Sequence, residues 1–142
     1  MTDVQAAIGL VQLGKLDRFV EERRRTAAFY EREPGQVPWL LTPRVPDECG
    51  HCWQSYVLLV DESRAPRSRD EVMDALHARG IATRPGTHAV HMLGVYRRMF
   101  GLAPEDCPNA RDCERNSVAI PLHNRMTEDD AAYVVEALRG LG

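Results

Sequence analysis

The chain has 142 residues, a net charge of −3, 44% hydrophobic and 27% charged residues, which fits one globular domain with a real core. It excludes a nucleic-acid binder with a concentrated basic face, because the one basic run, Arg23 to Arg25, sits among Glu21, Glu22, Glu31 and Glu33. No stretch approaches the ~18 apolar residues of a membrane span, no basic segment precedes an apolar run at the N-terminus, and the expected location is cytoplasmic.

The first segment reads as one long helix. Thr2-Asp3-Val4-Gln5 has the spacing of a capping box, and Asp3 suits the positive end of the helix dipole. Val4, Ile8, Val11 and Phe19 fall on one face, and Ala6, Leu13, Leu16 and Val20 on another, so burial against more than one surface is expected. The run reaches about Arg32 and stops before Pro34-Gly35, a span of ~45 Å.

Residues 34–50 hold Pro34, Gly35, Pro38, Pro43, Pro46 and Gly50 and read as an irregular connection. Gln54 to Val60 is a strand by its β-branched and aromatic content. Ser68-Arg69-Asp70-Glu71 is a second capping box, opening a helix that turns Val72, Met73, Leu76 and His77 to the core and closes at Gly80. Ile81 to Arg84 reads as a short strand ended by Pro85-Gly86. Short helices follow over His91–Phe100 and Pro108–Asn116. Ser117 to Leu122 is a third strand, and Thr127 caps a final helix carrying Ala132, Val134, Val135 and Leu138. Few strands among helices predict an α+β fold, about three strands with helices packed on them.

Several segments resemble motifs of the DegT/DnrJ/StrS family of nucleotide-sugar aminotransferases. Met1-Thr2-Asp3-Val4-Gln5-Ala6-Ala7 is similar to the end of its N-Y-R-M-[TS]-[DE]-[IVL]-Q-A-A segment, and Gln12 to Asp17 and Arg23 to Arg25 keep its pattern. Cys52-Trp53-Gln54-Ser55-Tyr56-Val57 resembles its W-x-x-Y-V strand. Gly80 to His91 resembles its G-I-x-T-R-P loop and following histidine, and Ala119 to Asp130 its L-P-L-H…M-T-E-E-D ending. The motifs run in family order over essentially the whole chain.

The resemblance implies the small C-terminal α+β domain of a fold-type-I pyridoxal-phosphate transferase, residues 34–142, preceded by a long linking helix, residues 1–33. It implies a homodimer that moves an amino group from an amino-acid donor to a keto sugar nucleotide. It places the Schiff-base lysine and the cofactor-binding residues in a large domain upstream of Met1, so no catalytic or cofactor-binding residue is expected in this chain. A fragment without pyridoxal phosphate and inactive alone is the expectation.

Within the chain, the resemblance implies substrate contacts at His91, Arg84 and His88. An imidazole can hydrogen-bond a sugar hydroxyl or phosphate, and an arginine suits a phosphate or carboxylate. Against this stand structural roles: a helix-start histidine and an ion-paired arginine. His88 and His91 lack a third metal ligand at suitable spacing. Lys15 is the only lysine, and it reads as a surface residue on a helix. Cys49/Cys52 has the spacing of a zinc half-site, but Cys107/Cys113 is spaced C-x5-C rather than as in zinc ribbons, and the four read as small buried hydrophobes. Two other classes of function remain open: a stand-alone module that binds a nucleotide sugar or a partner aminotransferase, and a zinc-stabilised interaction domain.

Overall fold

A computed structural model describes residues 1–33 and 37–142. The two N-terminal helices are α1 (Asp3–Leu13) and α2 (Leu16–Arg32). The predicted capping box forms: Thr2 N–H donates to Gln5 Oε1 at 2.9 Å and Gln5 N–H to Thr2 Oγ1 at 3.3 Å. The single long helix does not. At Gly14 and Lys15 the ψ angles fall to −8° and −6°, and Lys15 N–H bonds three residues back to Gln12 O. Glycine is a weak helix former, costing about 1 kcal/mol relative to alanine, and the ladder gives way there. The predicted stop at Pro34-Gly35 lies outside the described residues.

The two helices are buried very differently. No residue of α1 is buried, and Ile8 is 59% exposed. α2 is held to the rest of the chain by Ala27 and Tyr30, both fully buried. Tyr30 Oη donates to Pro121 O at 2.9 Å, and its ring lies 5.1 Å from that of Tyr56.

The sheet is antiparallel and has four strands among the described residues, in the order β1 (Leu40–Leu41), β2 (Tyr56–Val60), β4 (Ser117–Ile120), β3 (Arg84–Pro85). The α+β expectation holds. β1 is an addition inside the run read as irregular. It has two residues, with Leu40 opposite Val60, too few to show an alternation in sequence. β3 begins later than expected, because Ile81 N–H is taken by Leu76 O in the cap that ends α3 (Arg69–His77) at Gly80, φ 75°.

Alternation on β2 sets the layers. Tyr56, Leu58 and Val60 point to one face with Val118 and Ile120 of β4, and these are buried beneath α2, α3 and α6 (Glu128–Arg139). α3 contributes Val72 and Leu76; Met73 is half-buried, and His77, expected inside, is exposed on the last turn. α6 contributes Ala131, Val134, Val135 and Leu138, with Ala132 half-buried. Each fully buried leucine or valine contributes about 1.5–3 kcal/mol of transfer free energy. Capping boxes at Ser68/Glu71 and Thr127/Asp130 start α3 and α6 as predicted.

Between β3 and β4 the chain forms a 3-10 turn (Val90–Met92), α4 (Gly94–Phe100), a second turn (Pro104–Asp106) and α5 (Pro108–Asn116). α4 buries nothing: Met99 and Phe100 are 68% and 63% exposed.

Candidate functional site

The predicted substrate residues share one segment, running from β3 into the first 3-10 turn. β3 is an edge strand, with Arg84 opposite Ala119 and Pro85 opposite Val118. Beyond it Gly86 N–H donates to Ser117 O at 3.2 Å and pulls the chain flat against the sheet. A Cβ on Gly86 would overlap Val57 Cγ1 and lie 2.7 Å from Ser117 Oγ, so only glycine passes here. The closeness is steric and fixes the height of the segment above the sheet.

Arg84 is exposed, and its side chain has no hydrogen bond or ion pair among the described residues. His88 is exposed as well, its Nδ1 3.7 Å from Glu114 Oε1 on α5. That contact is ionic only when the imidazole is protonated. His91 is turned inward: it is 7% exposed, and its Nε2 donates to Pro104 O at 3.2 Å. This bond ties the first 3-10 turn to the second. Arg84 and His88 face outward, His88 toward Glu114, and His91 holds the loop behind them. Beside Thr87 a recess of about 290 Å3 opens on the outer face of the sheet, lined by Leu41, Val57, Leu59, Cys113 and Ser117. Ser117 Oγ is buried there without a hydrogen-bond partner.

Other polar groups do structural work. Glu71 and Asp130 accept from the backbone N–H and hydroxyl of Ser68 and Thr127, which holds both carboxyls below their ordinary range. Burial pushes the phenols of Tyr30 and Tyr56 well up. Tyr56 Oη has no partner and belongs to the core rather than to a site. The cysteines depart from expectation: all four are exposed. Cys49, Cys52 and Cys107 sit in irregular segments, and Cys113 on α5 borders the open recess beside Thr87. Among the described residues no three histidine, cysteine or acidic side chains gather to hold a metal ion.

Residues 1–139 match the DegT/DnrJ/EryC1/StrS aminotransferase family. The chain belongs to this family. Among curated proteins it resembles the spore coat polysaccharide biosynthesis protein SpsC of Bacillus subtilis, 38% identical over 99% of this chain and 36% of that protein. Among solved structures it resembles the sugar aminotransferase CalS13 of Micromonospora echinospora, with a TM-score of 0.78 and 27% identity over 94% of this chain and 34% of the other. Helicobacter pylori PseC, an aminotransferase of pseudoaminic acid biosynthesis, shares the fold with a TM-score of 0.88 at 20% identity, over 99% of this chain and 37% of its own. The chain thus spans about a third of the length of these relatives.

The DegT/DnrJ/EryC1/StrS aminotransferases are pyridoxal-phosphate enzymes, and the residues present here do not fit that cofactor. Lys15, the only lysine, is the half-exposed residue that starts α2. It stands at the junction of α1 and α2, and no glycine-rich turn stands beside it to take a phosphate. A Schiff-base lysine needs a pocket that lowers its pKa.

Two positioning residues of this aminotransferase segment escaped the sequence reading. Gly86 carried a signal, a glycine after Arg84-Pro85, but was read only as a strand end. Arg23 carried none. Its Nη1 donates to Trp53 O at 3.0 Å and Gln54 O at 2.8 Å, and its Nε to Asn124 Oδ1 at 3.3 Å. Asn124 Nδ2 in turn donates to Phe19 O at 2.8 Å.

Proposed function

We propose that this chain is the C-terminal third of a sugar aminotransferase and acts only with a large domain that supplies lysine and pyridoxal phosphate. The observation that carries this reading is the continuous family match over residues 1–139 in a chain whose one lysine is the half-exposed residue that starts α2. When bound, the cofactor supplies the electron sink for amino transfer. In the whole enzyme, residues 34–142 form the small domain that closes on a keto sugar nucleotide, and residues 1–33 link it to the large domain. Arg84 offers a guanidinium to phosphate and His88 an imidazole to a phosphate or sugar hydroxyl. His91 keeps the segment in place through Pro104 O.

The exposed apolar side chains of α1 and α4 support the reading. Val4, Ile8, Leu10, Val11, Val95, Met99 and Phe100 are all at least 48% exposed, which suits surfaces covered by the large domain and a second subunit of a homodimer. The test is to mix the purified chain with pyridoxal phosphate, reduce with borohydride and map any adduct. We expect no stoichiometric adduct at Lys15 and no amino transfer from glutamate to a keto sugar nucleotide. The gene product read in frame from upstream of Met1 is expected to show both activities, with its adduct at an upstream lysine. A specific adduct at Lys15, or amino transfer by the chain alone, refutes the proposal.

A further inference from the structure

Two histidines outside the site above make the same bond. Trp53 N–H donates to His51 Nδ1 at 3.0 Å, and Arg125 N–H donates to His123 Nδ1 at 3.2 Å. Each imidazole closes a turn onto the backbone two residues further on, as the side-chain oxygen of an asparagine does in an Asx turn. A backbone amide can only donate, so Nδ1 must accept and the ring proton must sit on Nε2. A doubly protonated imidazole has no acceptor left, so both bonds exist only while the histidine is neutral.

The two turns meet at one residue. Arg23 of α2 donates to Trp53 O at 3.0 Å, Gln54 O at 2.8 Å and Asn124 Oδ1 at 3.3 Å. Trp53 and Gln54 follow on the His51 turn, and Asn124 lies inside the His123 turn, between His123 and Arg125. All three of these acceptors are thus presented to the guanidinium by histidine-closed turns.

The charges around the two rings differ. From α2, Arg24 brings its Nε to His51 O at 3.5 Å, and Arg23 holds the neighbouring Trp53 O. Glu48, Cys49 and Cys52 belong to the same segment as His51, and Tyr56, stacked on Trp53, stays neutral because burial pushes its phenol well up. The Trp53 ring, 4.4 Å from that of His51, can take an imidazolium on its π cloud. His123 faces Asp130 of α6, whose carboxyl is held low by the Thr127 capping bonds first and then by this imidazole. Around Asn124 stand Glu22, Arg25 and Arg32 of α2 and Glu128 of α6. Each imidazole therefore has a neighbour that accommodates its proton, an indole for His51 and a carboxylate for His123. What gives way on proton uptake is the backbone bond, and a new positive charge then stands near Arg23.

We propose that His51 and His123 make the attachment of α2 proton-sensitive: neutral, they close the two turns that present acceptors to Arg23, and protonated, they release both. The sign follows from the acceptor role. The turns are closed at the alkaline end and open as pH falls through the range in which a histidine takes up its proton, about pH 8 to 5. Carboxyls titrate below that range, so the capping bonds of Glu71 and Asp130 stay intact while the turns open. The device belongs to the fold of this chain and does not depend on its being part of an aminotransferase.

The test uses the full chain with its nitrogens isotopically labelled. Long-range proton–nitrogen spectra of the imidazoles at about pH 8 are expected to show His51 and His123 with the proton on Nε2. Between about pH 8 and about pH 5 the protection of the Trp53 and Arg125 amides, corrected for the intrinsic pH dependence of exchange, is expected to fall about fivefold. In a His51→Asn/His123→Asn variant the amide oxygens can accept the same two bonds but cannot titrate, so protection is expected to stay level. The tautomer and the protection of the unsubstituted chain need no variant, which covers a folding failure. A ring proton on Nδ1 at the alkaline end, protection in the parent that does not change with pH, or an equal fall in the asparagine variant overturns the proposal.

Discussion

Substituting Gly86 by alanine tests whether steric closeness sets the segment after β3 on the sheet. The added Cβ overlaps Val57 Cγ1 and meets Ser117 Oγ at 2.7 Å and Ser117 Cβ at 2.8 Å. Neither neighbour yields easily. Val57 is β-branched with a stiff χ1, and Ser117 Cβ is fixed by a backbone paired opposite Leu59. Overpacking of this kind costs about 1–3 kcal/mol, or ~2–12 °C in melting temperature for a domain of this size. Urea unfolding followed by the fluorescence of Trp39 and Trp53, both buried, reads the loss. A Gly86→Ala/Val57→Ala cycle separates the clash from general damage. The two changes are expected to couple by about 1 kcal/mol or more, because removing Cγ1 makes room for the new methyl. A Gly86→Ala midpoint equal to that of the parent, or strictly additive effects, refutes the steric argument.

Two further outcomes follow from the helix ends. Because the carboxyls of Glu71 and Asp130 are depressed by their capping bonds, their contribution is complete above the unfolded carboxyl values, around pH 4. It falls away as pH drops through the lower folded values, so an acid titration by circular dichroism should show stability declining below about pH 4, and Glu71→Gln should flatten that decline. Removing residues 1–14 should leave the urea midpoint within about 0.5 kcal/mol of the parent, since no residue of α1 is buried, and a large loss measured by the same assay would contradict that exposure.

What could be read from the sequence was local. The three capping boxes joined residues three apart, and all three form where the spacing put them. The faces of β2 followed from alternation over Tyr56 to Val60. The failures were of two physical kinds. Where two local signals competed, the reading followed the wrong one: the apolar spacing of residues 3–32 suggested one rod, but Gly14, a weak helix former, breaks it. The cysteines, small and apolar by type, sit in exposed segments. Where the partner is distant, no window of sequence contains it. Leu40 becomes a strand only because Val60 is opposite, and the partners of Arg23 lie 30 and 101 positions away. Arg84, His88 and His91 came from family resemblance. Chain pattern alone could not have told that His91 faces inward to Pro104 while the other two face out.

The Arg23 clasp carries the last prediction. Trp53 is the only described non-glycine residue at positive φ, a conformation costing about 1–2 kcal/mol for a side chain of its size. Two forces hold it there. Its ring stacks on Tyr56 with centroids 5.4 Å apart, and Arg23 Nη1 donates to its carbonyl and to that of Gln54. A hydrogen bond to a charged group contributes about 1.5–3 kcal/mol, but the Gln54 contact is exposed and water can replace it. Lysine keeps the charge and can donate to both carbonyls from one nitrogen, but it has no second nitrogen for Asn124 Oδ1. Arg23→Lys should therefore cost about 1 kcal/mol, and Arg23→Ala more, because both carbonyl bonds are lost as well. In a Trp39→Phe background Trp53 is the sole indole. If the clasp holds the turn, both substitutions should reduce its near-ultraviolet dichroism before global unfolding begins. A full signal in Arg23→Ala would mean that stacking on Tyr56 alone secures the left-handed turn, and that α2 is held to the sheet by Ala27 and Tyr30 without the arginine.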